Sequence, residues 1–276
     1  MSTISADVPP EVVSVLLTAL DRTTDDLSAS LARASGPELA GPSLLDGWSR
    51  AHVVAHLTNV AEALVRMTHD ALAERPTTMY PRGRADRGVQ IDAVAALSWD
   101  ELHTKFVQAT AALMHIWRAV PWERWGRPFT ETELGTAQLG RLVGLRLTEV
   151  EVHHSDLALG FGPRDWSREL TRTCLPLRLA SLERYRRRPD ADQAISGTWL
   201  LVCDDLDRRW RVRADQADVA IVDVAPGRDD DQADVVLRGH ATDLTALLLG
   251  RQDPAMLWVS GDTARAAAFK RAFPGP

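Results

Sequence analysis

Glu149 and His153 stand four residues apart in RLTEVEVHHSDL, residues 146–157, a spacing that brings two side chains to one point off the face of a helix. An imidazole nitrogen and a carboxylate oxygen meeting there suit one divalent metal ion. Upstream, an apolar stripe of Leu139, Leu142 and Val143 continues in steps of three and four through Arg146, Glu149, His153 and Asp156, so the row expected to face the core turns polar. A carboxylate in an apolar interior must be neutral, paired or bound to a cation, because the isolated charge is too costly. Asp156 is spaced to accept a hydrogen bond from behind the metal-facing side. Two readings compete: a metal site, and a Glu–His ion pair with Arg146 and Asp156 as neighbours in a partly solvated cleft. This helix alone leans to the ion pair, since structural networks also gather ionisable groups.

A third group shifts the balance. WSRAHVVAHLTNVAEALVRMTHDALAERP follows Trp48 with Ser49 as N-cap, and its buried stripe runs Val53, His56 and Leu57, Val60, Leu64, Met67 and Ala71. His56 is thus one imidazole in an apolar row; taken alone it reads as a hydrogen-bonded core residue. His52 and His69 fall off that row. With histidine on the inner face of two helices, His56, Glu149 and His153 form a set of two imidazoles and one carboxylate that leaves coordination positions open, unlike a closed four-ligand structural site.

The elements that must position these groups are mainly helical. Leu16, Leu20, Leu27 and Leu31 keep helical spacing in the first segment; GPELAGPSLLDG, 36–47, reads as a loop with room for one short turn. PTTMYPRGRADRG, 76–88, reads as an exposed loop whose Arg82, Arg84 and Arg87 are solvated; alternatively Tyr80 and one arginine form a lid or anion clamp. SWDE at 98–101 fits a capping box, followed by the buried row Leu102, Phe106, Leu113, Trp117 and Val120. PWERWGRPFTETELG breaks the pattern, and the helix carrying Glu149 is expected from about Thr136 to the stop at 160–163. Four amphipathic helices make a bundle, in which metal sites are built from facing helices.

SRELTRTCLPLRLASLERYRRR, 167–188, reads as a further helix that Pro176 would kink or interrupt, with RYRRRP as its charged C-terminal end. After the linker PDADQAISG the period changes to alternation in TWLLVCDD, RRWRVRA, VAIVDVA and ADVVLRG, then to helix, strand, helix. The expected architecture is therefore α+β: a helical bundle over 1–165, an additional helix and linker over 166–195, and a small α+β domain over 196–276.

Composition closes off other classes. In a chain of 276 residues, 45% hydrophobic residues support a substantial core, while a net charge of -6 argues against an electrostatic nucleic-acid binder. MSTISADVPPEVV lacks a basic stretch followed by an apolar core, and no apolar run approaches a bilayer span, so a cytoplasmic protein without membrane partner is expected. Cys174 and Cys203 are too few and too distant for a disulfide framework or a cysteine zinc site and read as small core residues. A thiol, if needed, comes from outside. Walker A, GxGxxG, GxSxG and HExxH patterns are absent.

At these residues the chain resembles the mycothiol-dependent maleylpyruvate isomerase family, whose N-terminal domain is a DinB-like four-helix bundle with a metal centre. WSRAHVVAHLTNVAEAL resembles its Trp-to-His-Leu helix, and RLTEVEVHHSDL its Arg, Glu, His, Asp helix. MYPRGRADRGVQID resembles the loop holding a tyrosine and an arginine, here Tyr80 and Arg87; GHATDLTALLLGR resembles the C-terminal domain, with Gly239, Leu244, Gly250 and Arg251 in place. The resemblance implies that His56, Glu149 and His153 bind zinc, with mycothiol as thiol cosubstrate, Arg87 and Asp156 as catalytic candidates, and Tyr80 and Arg251 as cofactor-binding candidates. The expected activity is S-transfer to an electrophilic small molecule; the alternatives are maleylpyruvate cis–trans isomerisation, metal-dependent hydrolysis and a non-catalytic binding module.

Overall fold

A computed structural model describes residues 8–131, 135–225 and 233–275. The opening MSTISAD, read above as lacking a leader, lies outside the described residues, as do 132–134 in the pattern break and the Asp-rich turn at 226–232. The chain divides into two compact units, Asp7–Leu170 and, on the C-terminal side, Thr171–Pro276.

The first unit runs α1 (Pro10–Arg33), α2 (Gly36–Ala40), α3 (Arg50–Leu72), α4 (Asp86–Ala95), α5 (Trp99–Ala119), a hairpin of β1 (Pro128–Glu131) and β2 (Gly135–Gln138), α6 (Arg141–Asp156), and the start of α7 (Arg168–Ala180). Proline in the first turn of α1 sacrifices no helical hydrogen bond, and the Leu16, Leu20, Leu27 and Leu31 row is buried as its spacing requires. Each such leucine contributes roughly 1.5–3 kcal/mol relative to exposure, more than any single surface ion pair here. Capping boxes start α3 at Ser49 and α5 at Ser98. α1 packs on α6, α3 on α5, and α3 on α6, which completes a DinB-like four-helix bundle.

Within the first unit, α4 and the start of α6 differ from the sequence expectation. Arg87 lies on the helix α4 rather than in a loop; Ile91 is the only buried residue of that helix, too little to write a periodic signal. The segment from Thr136 pairs as β2 with β1 instead of opening a helix, so α6 starts at Arg141. The helix is preceded by Gly140, where a Cβ would fall 2.9 Å from both Val13 Cγ2 and the Val8 carbonyl oxygen. Only glycine lets the chain approach α1 that closely. α6 itself is buried on most of its circumference, including Glu151 and His154, so its single apolar stripe was a partial description.

In the second unit, β3 (Gly197–Cys203), β4 (Arg208–Asp215), β5 (Asp218–Asp223), β6 (Val235–Gly239) and β7 (Trp258–Gly261) form a sheet ordered β5-β4-β3-β6-β7, parallel only between β3 and β6. α7, which continues through Pro176 to Ala180, and α8 (Leu182–Arg186), separated from it at Ser181, precede it; α9 (Ala241–Leu248), α10 (Thr263–Ala267) and α11 (Phe269–Ala272) follow β6 and β7. One sheet face carries Trp199, Leu201, Trp210, Val212 and Leu237 into a core shared with Leu179, Leu244 and Phe269. Both cysteines are buried. Arg186 is not the solvated helix-end charge its sequence suggests: it is fully buried, and its guanidinium donates to the carbonyls of Asp192, Gln193, Ile195, Gln216 and Ala272. Among the described residues, no helix is long and apolar enough to cross a membrane.

Candidate metal centre

Arg146 fixes the two helices that supply the centre. Its side chain is fully buried, Nη1 donating to the Leu57 carbonyl at 2.7 Å and Nη2 to Thr110 Oγ1 at 3.3 Å. Burial lowers its pKa to about 10, against the attraction of Glu149, so it stays charged and braces α6 against α3 and α5. Because Leu57 follows His56 and Glu149 lies one turn beyond Arg146, that brace sets His56 opposite Glu149.

The result is a convergence on one oxygen. His56 Nε2 lies 2.9 Å and His153 Nε2 3.3 Å from Glu149 Oε2, and the two imidazoles meet edge to face, centroids 4.7 Å apart. One ligand atom from each residue falls within 4.8 Å of the others. Behind His153, its Nδ1 pairs with Asp156 Oδ2 at 2.8 Å, which fixes the ring and leaves Nε2 facing the centre. Burial opposes charge at all three positions. At Glu149 the hydrogen bonds from His153 and His56 outweigh it and hold the carboxyl well below its ordinary range. At His153 Asp156 and Glu149 outweigh it and raise the pKa, whereas at His56 burial wins and lowers it. The carboxylate thus stands ionised among imidazole N–H groups aimed at a single point. A divalent cation can replace those protons without moving the framework, so the donor set fits such an ion.

The other polar groups of α6 face elsewhere. Glu151 accepts from the Ser167 backbone N–H and hydroxyl, both at 2.6 Å, while burial pushes its pKa up to about 7. His154 pairs with Ser30 Oγ at 2.9 Å and stacks on Phe161; burial drops it to about 4. Both brace the fold.

A cavity of about 330 Å³ opens beside His56, lined also by Asn59, Arg66, Tyr80, Arg87 and Gln90. Arg66 is occupied with the Met79 carbonyl and Thr77, and Arg82 with Asp86. Among the described residues no carboxylate pairs with Arg87; its guanidinium lies 5.3 Å from the centroid of the Trp48 ring. The structure therefore brings together His56, Glu149, His153 and Asp156, and sets Tyr80 and Arg87 on the adjoining cavity wall. Arg251 lies in the second unit, donating to the Leu249 carbonyl at 2.8 Å. Sequence reading left out Asn59 and Arg66, although steps of three and four from His56 along α3 lead to both, and gave Trp48 no role beyond marking the helix start.

Residues 20–158, half of the chain, match the family model described as the mycothiol maleylpyruvate isomerase N-terminal domain. The chain belongs to this family. Two solved structures of the mycothiol-dependent maleylpyruvate isomerase, one of them an H52A mutant, superpose with a TM-score of 0.71 at 23% identity, covering 94% of this chain and 96% of theirs. At that identity they show the shared fold, bundle and C-terminal part together. No curated protein matches the chain.

Proposed function

We propose that this protein is a mycothiol-dependent transferase that joins the thiol's sulfur to an electrophilic small molecule, with His56, Glu149 and His153 holding a divalent metal ion, zinc by its preference for imidazole and carboxylate donors. The observation that carries this reading is the convergence of two Nε2 atoms on one Glu149 oxygen beside a cavity. Bound there, the ion would supply a Lewis-acid position that stabilises thiolate at neutral pH. Asp156 keeps the His153 lone pair directed at the centre, the Glu149 carboxylate offsets one of the ion's two charges while the neutral imidazoles leave the other for a thiolate, and the cavity admits the electrophile next to His56. Sulfur adds to the electrophilic carbon, and the leaving group departs with its bonding pair. Tyr80, on the cavity wall, is assigned to cofactor binding; Arg251 joins it on the family resemblance alone. Cys174 and Cys203 are buried in the second unit, which favours an exogenous nucleophile.

A second reading, cis–trans isomerisation of maleylpyruvate, is favoured by Arg87, a guanidinium without a carboxylate partner on the cavity wall. It shares the first step: sulfur adds to a conjugated double bond, the resulting single bond rotates, and the thiol is expelled. Elemental analysis and turnover of 1-chloro-2,4-dinitrobenzene and of maleylpyruvate, each with mycothiol, with cysteine and with no thiol, test both. Mycothiol-dependent conjugation supports the transferase and mycothiol-dependent isomerisation the second reading. Equal rates with and without thiol would sink both.

A further inference from the structure

Trp48 touches both the candidate metal centre and the candidate anion clamp. Its backbone is fixed on either side: its N–H donates to the Leu45 carbonyl at 3.0 Å, and its own carbonyl accepts from the Ser43 N–H and hydroxyl, each at 2.9 Å. Gly47, at φ +77, permits that turn, and Ser49 at once caps α3. The half-buried indole therefore has a set origin and direction. Its ring meets the His56 imidazole edge-on, centroids 5.7 Å apart and planes at 62°, and the Arg87 guanidinium carbon lies 5.3 Å from its centroid. A guanidinium over an indole face is held by the ring quadrupole while its N–H groups stay free for another acceptor.

The contrast with the neighbouring arginines matters. Arg66 and Arg82 spend their donors on the protein, whereas Arg87 is steadied by a contact that consumes none. A long, otherwise unpaired side chain at the start of α4 would lose much rotamer freedom on binding an anion, and pre-positioning removes part of that cost. We propose that Trp48 is a positioning residue: its indole holds the Arg87 guanidinium over the cavity beside His56, so that a carboxylate-bearing electrophile is bound there with its reactive carbon next to the metal centre. This deepens the proposed function and rests on its assignment of the cavity to the electrophile.

The test is a double-mutant cycle on zinc-loaded protein, with succinate as an unreactive dicarboxylate probe measured by calorimetry. Trp48→Leu should weaken succinate binding about fivefold to tenfold, the range of a partly desolvated cation–π contact, and Trp48→Phe should retain most of the affinity. In an Arg87→Ala background Trp48→Leu should have no further effect on succinate. In turnover, Trp48→Leu should raise KM for an anionic electrophile by a larger factor than for an uncharged electrophile such as 1-chloro-2,4-dinitrobenzene, and kcat should fall less than KM rises. Trp48→Met, equally apolar and without a π face, replaces the leucine variant if that fails to fold. An unchanged succinate affinity in Trp48→Leu, an equal loss with and without Arg87, or no succinate binding by the parent protein overturns the proposal. The succinate measurement involves neither thiol nor turnover, so loss of thiol dependence would defeat the proposed function while leaving this result to stand or fall by itself.

Discussion

Two buried ionisable groups, one in each unit, have been solved in opposite ways. Arg186 is closed: five backbone carbonyls absorb its donors, at 2.6–3.3 Å, and none of its surface is exposed. The centre at His56, Glu149 and His153 is open: three titratable groups crowd one point, Glu149 keeps 21% of its side chain exposed, and His56 borders a cavity. A group whose bonds are all spent within its own backbone neighbourhood holds a fold together. Groups directed at one another, with room beside them, retain capacity for a ligand. Burial and charge do not separate the two cases; where the donors point does.

The largest effect should come from breaking the open case. His56→Ala or His153→Ala removes one of three ligands and should leave the purified protein with little metal by elemental analysis and no thiol-dependent turnover. Asp156→Asn keeps all three ligands but disturbs the orientation of His153, so zinc affinity should fall roughly 10- to 100-fold in chelator competition. Full occupancy in both histidine variants would return the cluster to an ion-pair network.

The closed case should fail by unfolding instead. Arg186→Met leaves five backbone carbonyls without their donor at once, and each one that stays out of reach of water costs about 1–3 kcal/mol. Chemical denaturation should show the loss in the second unit, with metal content of the folded protein unchanged. Arg186→Lys should recover only part of it, because an ammonium offers three donors where the guanidinium offers five. A stability equal to the parent's would mean that the carbonyls find water.

Much of this contrast was legible in the sequence on one side only. The open centre was readable because helix periodicity is regular: steps of three and four from Leu139 reach Glu149, His153 and Asp156, and the same steps from Val53 reach His56. The sheet strands were readable from alternation, and the helix starts from Ser49 and Ser98. Arg186 was not, because its partners are backbone carbonyls from 192 to 272, a recognition that leaves no mark in residue type. α4 was missed since one buried residue, Ile91, makes no period, and the β1–β2 hairpin since two four-residue strands carry too few positions to compete with the helical stripe downstream. Trp48 gave no signal as a functional residue because its value lies in contacts to His56, eight residues on, and Arg87, far along the chain.

The smallest expected effect sharpens the comparison by holding stability constant. α3 and α5 begin with the same device, a serine that accepts from the backbone three residues on: His52 N–H to Ser49 Oγ at 3.3 Å, Glu101 N–H to Ser98 Oγ at 3.4 Å. Replacing either serine by alanine should cost about 1 kcal/mol, the usual loss for an N-cap. Their consequences for the site should differ. Ser49 Oγ also holds His52 Nδ1 at 2.6 Å, which turns His52 Nε2 towards Asp92 of α4 at 3.6 Å, and Ser49 directly follows Trp48. Ser98 has no such neighbours among the centre and cavity residues. Thermal unfolding should therefore place Ser49→Ala and Ser98→Ala within a few degrees of one another, while succinate affinity falls only in Ser49→Ala, by a factor of two or three, on the order of half a kcal/mol. If both variants bind succinate like the parent, the start of α3 serves the fold alone, and the coupling between helix capping and the anion clamp is absent.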